Sequence, residues 1–269
     1  MKRVLRTAVL GMTLASLLLV SALPALANDD ARIRVLHASP DAPAVDIYIN
    51  DSMVDGLTNV PFGVISDYLT VPADTYNVKV YATGTTTDPV IDADVTVDAG
   101  MAYTIAAIDE VANIRPEVLT DDPAMDYDNA QVRVVHFSPD APAVDVAPDG
   151  ADAVFSNLAF PDNTGYAALP PGSYDLEVRV AGESTVALDL DPLTLDAGTA
   201  YSVFAIGFAG GEPPLQVLVA VDGRMLPDSS TVGEQPAGTN VLPLIALGLL
   251  GAAAFTLMVA RNRFATQPR

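Results

Sequence analysis

The stretch "RVLHASPDAPAVD", residues 34–46, returns as "RVVHFSPDAPAVD" at residues 133–145, with eleven of thirteen positions identical and an offset of 99. The phrase carries a His, a Ser and two Asp, so it reads either as a reactive site written twice or as the footing of a fold written twice. The surrounding sequence decides between these. "YLTVPADTYNVKV" (68–80) matches "YAALPPGSYDLEV" (166–178), and "VTVDAGMAYTIAAI" (95–108) matches "LTLDAGTAYSVFAI" (193–206), both at an offset of 98. The landmarks keep their order, so the chain is a tandem duplication of a unit of roughly 100 residues, the size of a complete domain.

Each unit reads as strands. Tyr76, Val78 and Val80 alternate with Asn77, Lys79 and Tyr81; Tyr174, Leu176, Val178 and Val180 alternate with Asp175, Glu177 and Arg179. An apolar period of two is the mark of a half-buried strand. Turn signals such as "SPDAP", "VPADT", "LPPGS" and "DAG" separate the runs, and no sustained 3.6-residue period appears between the two long apolar runs at the chain ends. Seven or eight short strands per copy predict an all-β protein of two tandem immunoglobulin-like β-sandwiches. In "DAGMAY" and "DAGTAY", Tyr103 and Tyr201 follow Asp98 and Asp196 by five positions, the pattern of a tyrosine corner, in which the phenol bonds back to the upstream backbone.

Residues 1–27 read as a signal peptide: Lys2, Arg3 and Arg6, an apolar run from Ala8 to Val20, and the small-residue site Ala25-Leu26-Ala27. Residues 28–122 form the first predicted sandwich, 123–129 an acidic linker and 130–225 the second sandwich. Residues 226–240, "LPDSSTVGEQPAGTN", read as a flexible stalk. Val241 to Ala260 is a charge-free run of twenty residues, about 30 Å as a helix and long enough for one transmembrane span. Residues 261–269, with Arg261, Arg263 and Arg269, read as a basic cytoplasmic tail. The predicted location is therefore the cell membrane, with residues 28–240 exported to the cell surface or periplasm. Gly248 and Ala252 form a small-x-x-x-small pair in the predicted span, a pattern of helix pairing.

All 34 acids fall within residues 28–240, against seven bases, a net charge of −27 for that part. Such a surface repels nucleic acid and other polyanions. It suits a solubilised surface protein, a saline habitat or cation binding. With no cysteine, neither disulfides nor thiolate chemistry is available.

His37, Ser39 and Asp41, with His136, Ser138 and Asp140, invite a hydrolase reading. A triad requires the base to bridge two side chains that normally converge from separate loops, and these sit within five residues of each other. The structural reading makes Arg32–His37 and Ala44–Ile49 adjacent strands folded back about "SPDAP", pinned by facing pairs Arg34–Asp46 and Arg133–Asp145, with His and Ser satisfying backbone groups at the turn. A third reading concerns "DDPAMDYDNAQ" (121–131), whose Asp121, Asp122, Asp126, Asp128 and Asn129 are of the ligand type calcium takes between domains. The leading expectation is a non-catalytic, membrane-anchored surface protein whose sandwiches serve display, adhesion or contact with a cell-envelope partner. No cofactor is expected beyond calcium, whose binding would make it a calcium-stabilised surface module. An extracellular hydrolase ranks third.

The two H-x-SPDAPAVD phrases, with "PPGSY" (170–174) and the two DAG-x-AY segments, resemble the bacterial and archaeal exported family known as domain of unknown function 4397, over roughly residues 31–122 and 130–222. The first copy departs with "PADTY" (72–76). The resemblance implies a secreted or anchored protein, often tandem, and brings no established activity or catalytic residues.

Overall fold

The structure is a computed structural model, and it describes residues 30–190 and 192–225. The signal peptide, stalk, transmembrane span and basic tail expected at 1–27, 226–240, 241–260 and 261–269 lie outside the described residues. No helix among the described residues is long and apolar enough to cross a membrane.

The described chain is all-β apart from one short 3-10 turn, Val111–Asn113. In the first copy, β1 (Asp30–His37), β4 (Leu69–Pro72), β7 (Ala102–Ile108) and β8 (Arg115–Thr120) form one sheet in the order β4-β1-β7-β8. The facing sheet has the order β3-β2-β5-β6, from β2 (Val45–Ile49), β3 (Ser52–Met53), β5 (Asp74–Ala82) and β6 (Ile91–Val97). Ile33, Val45, Ile47, Val78, Val80, Val95, Tyr103 and Ile105 pack between the sheets. The alternation in β6 shows how sequence makes this layer: Ile91, Val95 and Val97 are buried while Asp92, Asp94 and Thr96 are not.

The second copy repeats this plan. β9 (Ala130–His136), β12 (Ala167–Leu169), β17 (Thr199–Ile206) and β18 (Gln216–Arg224) lie in the order β12-β9-β17-β18. Facing them is the sheet β11-β10-β14-β15, from β10 (Val144–Pro148), β11 (Phe155–Leu158), β14 (Leu176–Val180) and β15 (Val186–Asp189). The strands corresponding to β5 and β6 are each broken, and their other halves, β13 (Gly172–Tyr174) and β16 (Leu193–Leu195), form a separate two-stranded ladder.

Two features depart from the sequence-based picture. β1 runs parallel to β7, from Arg32 opposite Ala102 to His37 opposite Ala107, and β9 runs parallel to β17 in the same way. An immunoglobulin sandwich is built from antiparallel sheets, so the sandwich stands but its strand order is different. The "SPDAP" turn is also no hairpin: it carries the chain from β1 in one sheet to β2 in the other.

Every residue of β7, β9 and β17 is buried. One face of each meets its own sandwich core. The other faces meet across the copies, where Leu36, Ile65, Ala106, Ile108 and Leu119 pack with Val135, Phe137, Phe204, Ile206 and Leu218 in one cluster. Burying side chains of this size contributes about 1.5–3 kcal/mol each. The two sandwiches therefore share a third apolar layer, a seam between copies.

Candidate functional site

The seam holds four buried charges, Arg34, Asp121, Arg133 and Asp222. Arg34, on the seam face of β1, donates from Nε to Thr104 Oγ1 at 2.8 Å and from Nη1 to the Val221 carbonyl at 3.1 Å, and pairs through Nη2 with Asp222 Oδ1. Arg133, its counterpart on β9, donates from Nε to Ser202 Oγ at 2.6 Å and from Nη1 to the Thr120 carbonyl at 3.0 Å, and pairs through Nη2 with Asp121 Oδ1. Each copy's arginine thus takes the other copy's aspartate. The second carboxylate oxygens are equally occupied. Asp121 Oδ2 accepts from Tyr68 and Thr104, both at 2.6 Å, and Asp222 Oδ2 from Tyr166 at 2.7 Å and Ser202 at 2.6 Å.

The two half-sets are related as in a two-fold interface. Both guanidiniums lie over tyrosine rings, Arg34 at 4.6 Å from Tyr68 and Arg133 at 4.8 Å from Tyr166. Burial opposes the charge on Arg34, but Asp222 and Asp121 outweigh it and raise its pKa. Burial, with the adjacent carboxylates, pushes the Tyr68 and Tyr166 phenols far above their ordinary range despite the neighbouring arginines. The network is buried and charge-balanced, two guanidiniums against two carboxylates.

The pairing expected from the repeated phrase is therefore corrected. Arg34 does not meet Asp46, nor Arg133 Asp145, because the strands that carry them lie in different sheets. Asp46 instead accepts from the Asn59 amide at 2.7 Å, the Gly84 amide at 3.0 Å and Thr83 Oγ1 at 3.2 Å. Asp145 accepts from Asn157 at 2.7 Å and Gly182 at 2.9 Å. These backbone donors hold both carboxyls below the usual carboxylate range. Asn59 and Asn157 have φ of 53° and 55°, a left-handed geometry that Asn tolerates.

The other residues of the phrase are also turned to scaffolding. His37 Nε2 bonds the Pro43 carbonyl at 3.0 Å, and His136 Nε2 the Pro142 carbonyl at 3.1 Å. Both imidazoles are buried, which lowers their pKa against the opposing effect of those carbonyls. Asp41 accepts from the Val111 amide at 2.7 Å, while Asp140 accepts from Ala209 at 2.7 Å and Gly210 at 3.2 Å. Ser138 donates its amide to His136 Nδ1 at 3.3 Å, and its hydroxyl reaches Asp140 at 3.4 Å. In the first copy Ser39 Oγ and His37 Nδ1 are buried without a partner. Neither copy assembles Ser, His and Asp into a relay.

The tyrosine corners are present. Tyr103 Oη accepts from the Asp98 amide at 3.2 Å, and Tyr201 Oη from the Asp196 amide at 3.1 Å.

The junction acids do not converge as a calcium site would need. Asp121 is spent on Arg133, Tyr68 and Thr104. Asp126 accepts from the Asp128 amide at 2.9 Å and Asn129 Nδ2 at 2.7 Å, while Asp122 and Asp128 are exposed. No group of three His, Cys, Asp or Glu among the described residues is placed to hold a metal.

Sequence reasoning missed Asp222, Tyr68, Tyr166, Thr104 and Ser202 as members of the seam. A signal existed: Asp222 is the one charge inside the apolar run "VLVAVDG" (217–223), and an isolated charge in a strand with both faces buried needs a partner.

Two sandwiches joined by a reciprocal ion-paired seam define a tandem β-sandwich protein. The chain belongs to the family described as domain of unknown function (DUF4397), whose model matches it twice, over residues 31–147 and 130–233. No curated protein matches it. Similar solved structures include the C-terminal domain of AlgF from P. aeruginosa, 21% identical over 35% of this chain and 98% of that one, with a TM-score of 0.28. A family 26 carbohydrate-binding module from Eubacterium rectale Amy13K is 12% identical over 74% of this chain and 98% of its own, with a TM-score of 0.22. A Bacteroides ovatus protein described as a cell adhesion protein is 12% identical over 75% of this chain and all of its own, with a TM-score of 0.22.

Proposed function

We propose that this protein is a non-catalytic, membrane-anchored surface protein whose paired sandwiches act as one rigid display or adhesion module contacting a cell-envelope or protein partner. The observation that carries this reading is the seam. Of the side chains that looked reactive, His37, His136, Asp41 and Asp140 are directed to turns and carbonyls, Ser39 Oγ is enclosed without a partner, and Arg34, Arg133, Asp121 and Asp222 neutralise each other between the copies. The two arginine–aspartate pairs hold the domains together, and the histidines and Asp41 and Asp140 brace turns within each copy. The predicted signal at 1–27 and the span at 241–260 support export and anchoring, and the acidity of the exported part favours solubility at a surface.

Protease shaving of intact cells tests location. Antibody against residues 30–225 should label whole cells, and external protease should remove that epitope while leaving cytoplasmic markers intact. An epitope reached only after lysis would sink the surface assignment. Loss of cell-envelope attachment or of cell–cell contact on deletion of the protein, restored by a His37→Gln, His136→Gln chain, is the expected functional result. Failure of that chain to restore attachment while folding normally would count against a scaffolding role for the histidines.

A further inference from the structure

Beside the buried network the two copies leave an open cleft of about 300 Å³, lined from both sides by Arg32, Met101, Asp122, Met125, Arg224 and Met225. Two observations set it apart. Arg32 is, among the described residues, the one base without a carboxylate within 4.0 Å; Arg34, Lys79, Arg115, Arg133, Arg179 and Arg224 each have one. In a chain with 34 acids and 13 bases, an arginine left without an ion pair is unexpected. Nor is it loose: its guanidinium lies over the Tyr68 ring at 4.9 Å, and the Tyr68 hydroxyl is fixed on Asp121 at 2.6 Å. The seam therefore positions a planar donor with its hydrogen-bonding edge unused.

The second observation is compositional. Of the four methionines among the described residues, Met53, Met101, Met125 and Met225, three line this one cleft. Thioether side chains are adaptable, and these three supply the apolar part of a lining whose exposed surface is otherwise mainly polar.

We propose that the cleft binds a small monocarboxylate with an apolar body. The carboxylate is taken by the Arg32 guanidinium in the two-bond geometry that this group favours, and the apolar body lies on the methionines. Charge sets the limit on size. Asp121 and Asp222, which also border the cleft, are neutralised by Arg133 and Arg34, so Asp122 is the acid in the lining that opposes a single negative charge. A polyanion would in addition meet the repulsion of the whole acidic chain, much of which a small ligand escapes through screening over a Debye length of about 8–10 Å. The cations Arg32 and Arg224 argue against a metal ion on the thioethers.

The test is titration calorimetry on the full chain in mild detergent, with hexanoate, hexanamide, acetate and sulfate as probes. Hexanoate should bind roughly tenfold or more tightly than hexanamide or acetate, with sulfate weaker still. Arg32→Gln should cost about tenfold or more, the loss of one charge-assisted pair. Met125→Ser should weaken hexanoate without affecting acetate. The Arg32 side chain is exposed, so the variant should melt with the parent. Should it misfold, the methionine variant and the amide comparison decide. Undetectable hexanoate binding, unchanged affinity in Arg32→Gln, or sulfate binding equal to hexanoate would each overturn the proposal.

Discussion

The Arg34 side chain of the first sandwich is bonded to Asp222 of the second, across 188 positions of the chain, and both groups are almost completely shielded from water. Removing one partner of a buried pair leaves the other charge uncompensated, which costs about 3–5 kcal/mol. Arg34→Met should therefore lower unfolding stability by about that amount in a urea titration. Adding Asp222→Leu should recover part of it, and the two changes should couple by about 0.5–3 kcal/mol. Strictly additive effects would show that the pair does not act as a pair.

Mild acid should loosen the fold through its two buried histidines. Burial lowers the pKa of His37 and His136 in the folded chain, so the unfolded chain takes up protons first, near pH 6.5. Their contribution is intact above about pH 6.5 and is lost as the pH falls below it toward the lowered folded values. The denaturation midpoint should drop between about pH 7 and pH 5, and His136→Gln should flatten that slope. A midpoint that rises over the same interval would contradict the buried neutral state. Asp46 and Asp145, held low by backbone amides, add a second loss at more acidic pH, as the solution falls below the ordinary aspartate range.

Tyr103→Phe and Tyr201→Phe should each cost about 0.5–1.5 kcal/mol, the usual net worth of one hydrogen bond, because each corner phenol accepts an upstream amide. Thermal melting of the two single variants checks this. A null effect at both positions would reduce the corner to a coincidence of turn and aromatic.

Gly207 has φ of 91°, and a Cβ there would lie 2.3 Å from the Pro214 carbonyl oxygen. The corresponding residue of the first copy, Asp109, also has positive φ, at 75°. Gly207→Asp makes the second copy resemble the first, yet it should destabilise by more than the roughly 1–3 kcal/mol that a strained backbone costs, because the clash is with backbone rather than a movable side chain. Parental stability would show that the 208–214 loop yields easily.

The strands and their doubling were legible because β5 and β6 expose one face and so alternate apolar and polar residues in plain view. The tyrosine corners were legible because their spacing is local. Arg34 and Arg133 were misassigned for a physical reason: within one copy the nearest acid at a symmetric place is Asp46 or Asp145, and nothing local says that β1 and β2 lie in different sheets. The true partners come from the other copy, and only the three-dimensional arrangement of the sheets brings them near. Asp121 was hidden differently. It stands at the head of an acidic run, and its neighbours Asp122 and Asp128 are exposed, so composition alone made the group look like a cation site.

Because Arg34 lies four positions after Asp30 and Asp222 three before Met225, the described polypeptide starts and finishes at one locus, with Arg32 and Arg224 lining the same cleft. A load entering from the stalk at residue 225 would reach that junction first, ahead of β2, β5, β10 and β14 in the sheets away from the seam. It also makes 225 and 30 natural points to join in a circular permutant. The sheets farthest from the shared locus would then stay folded and presented while the molecule is under strain.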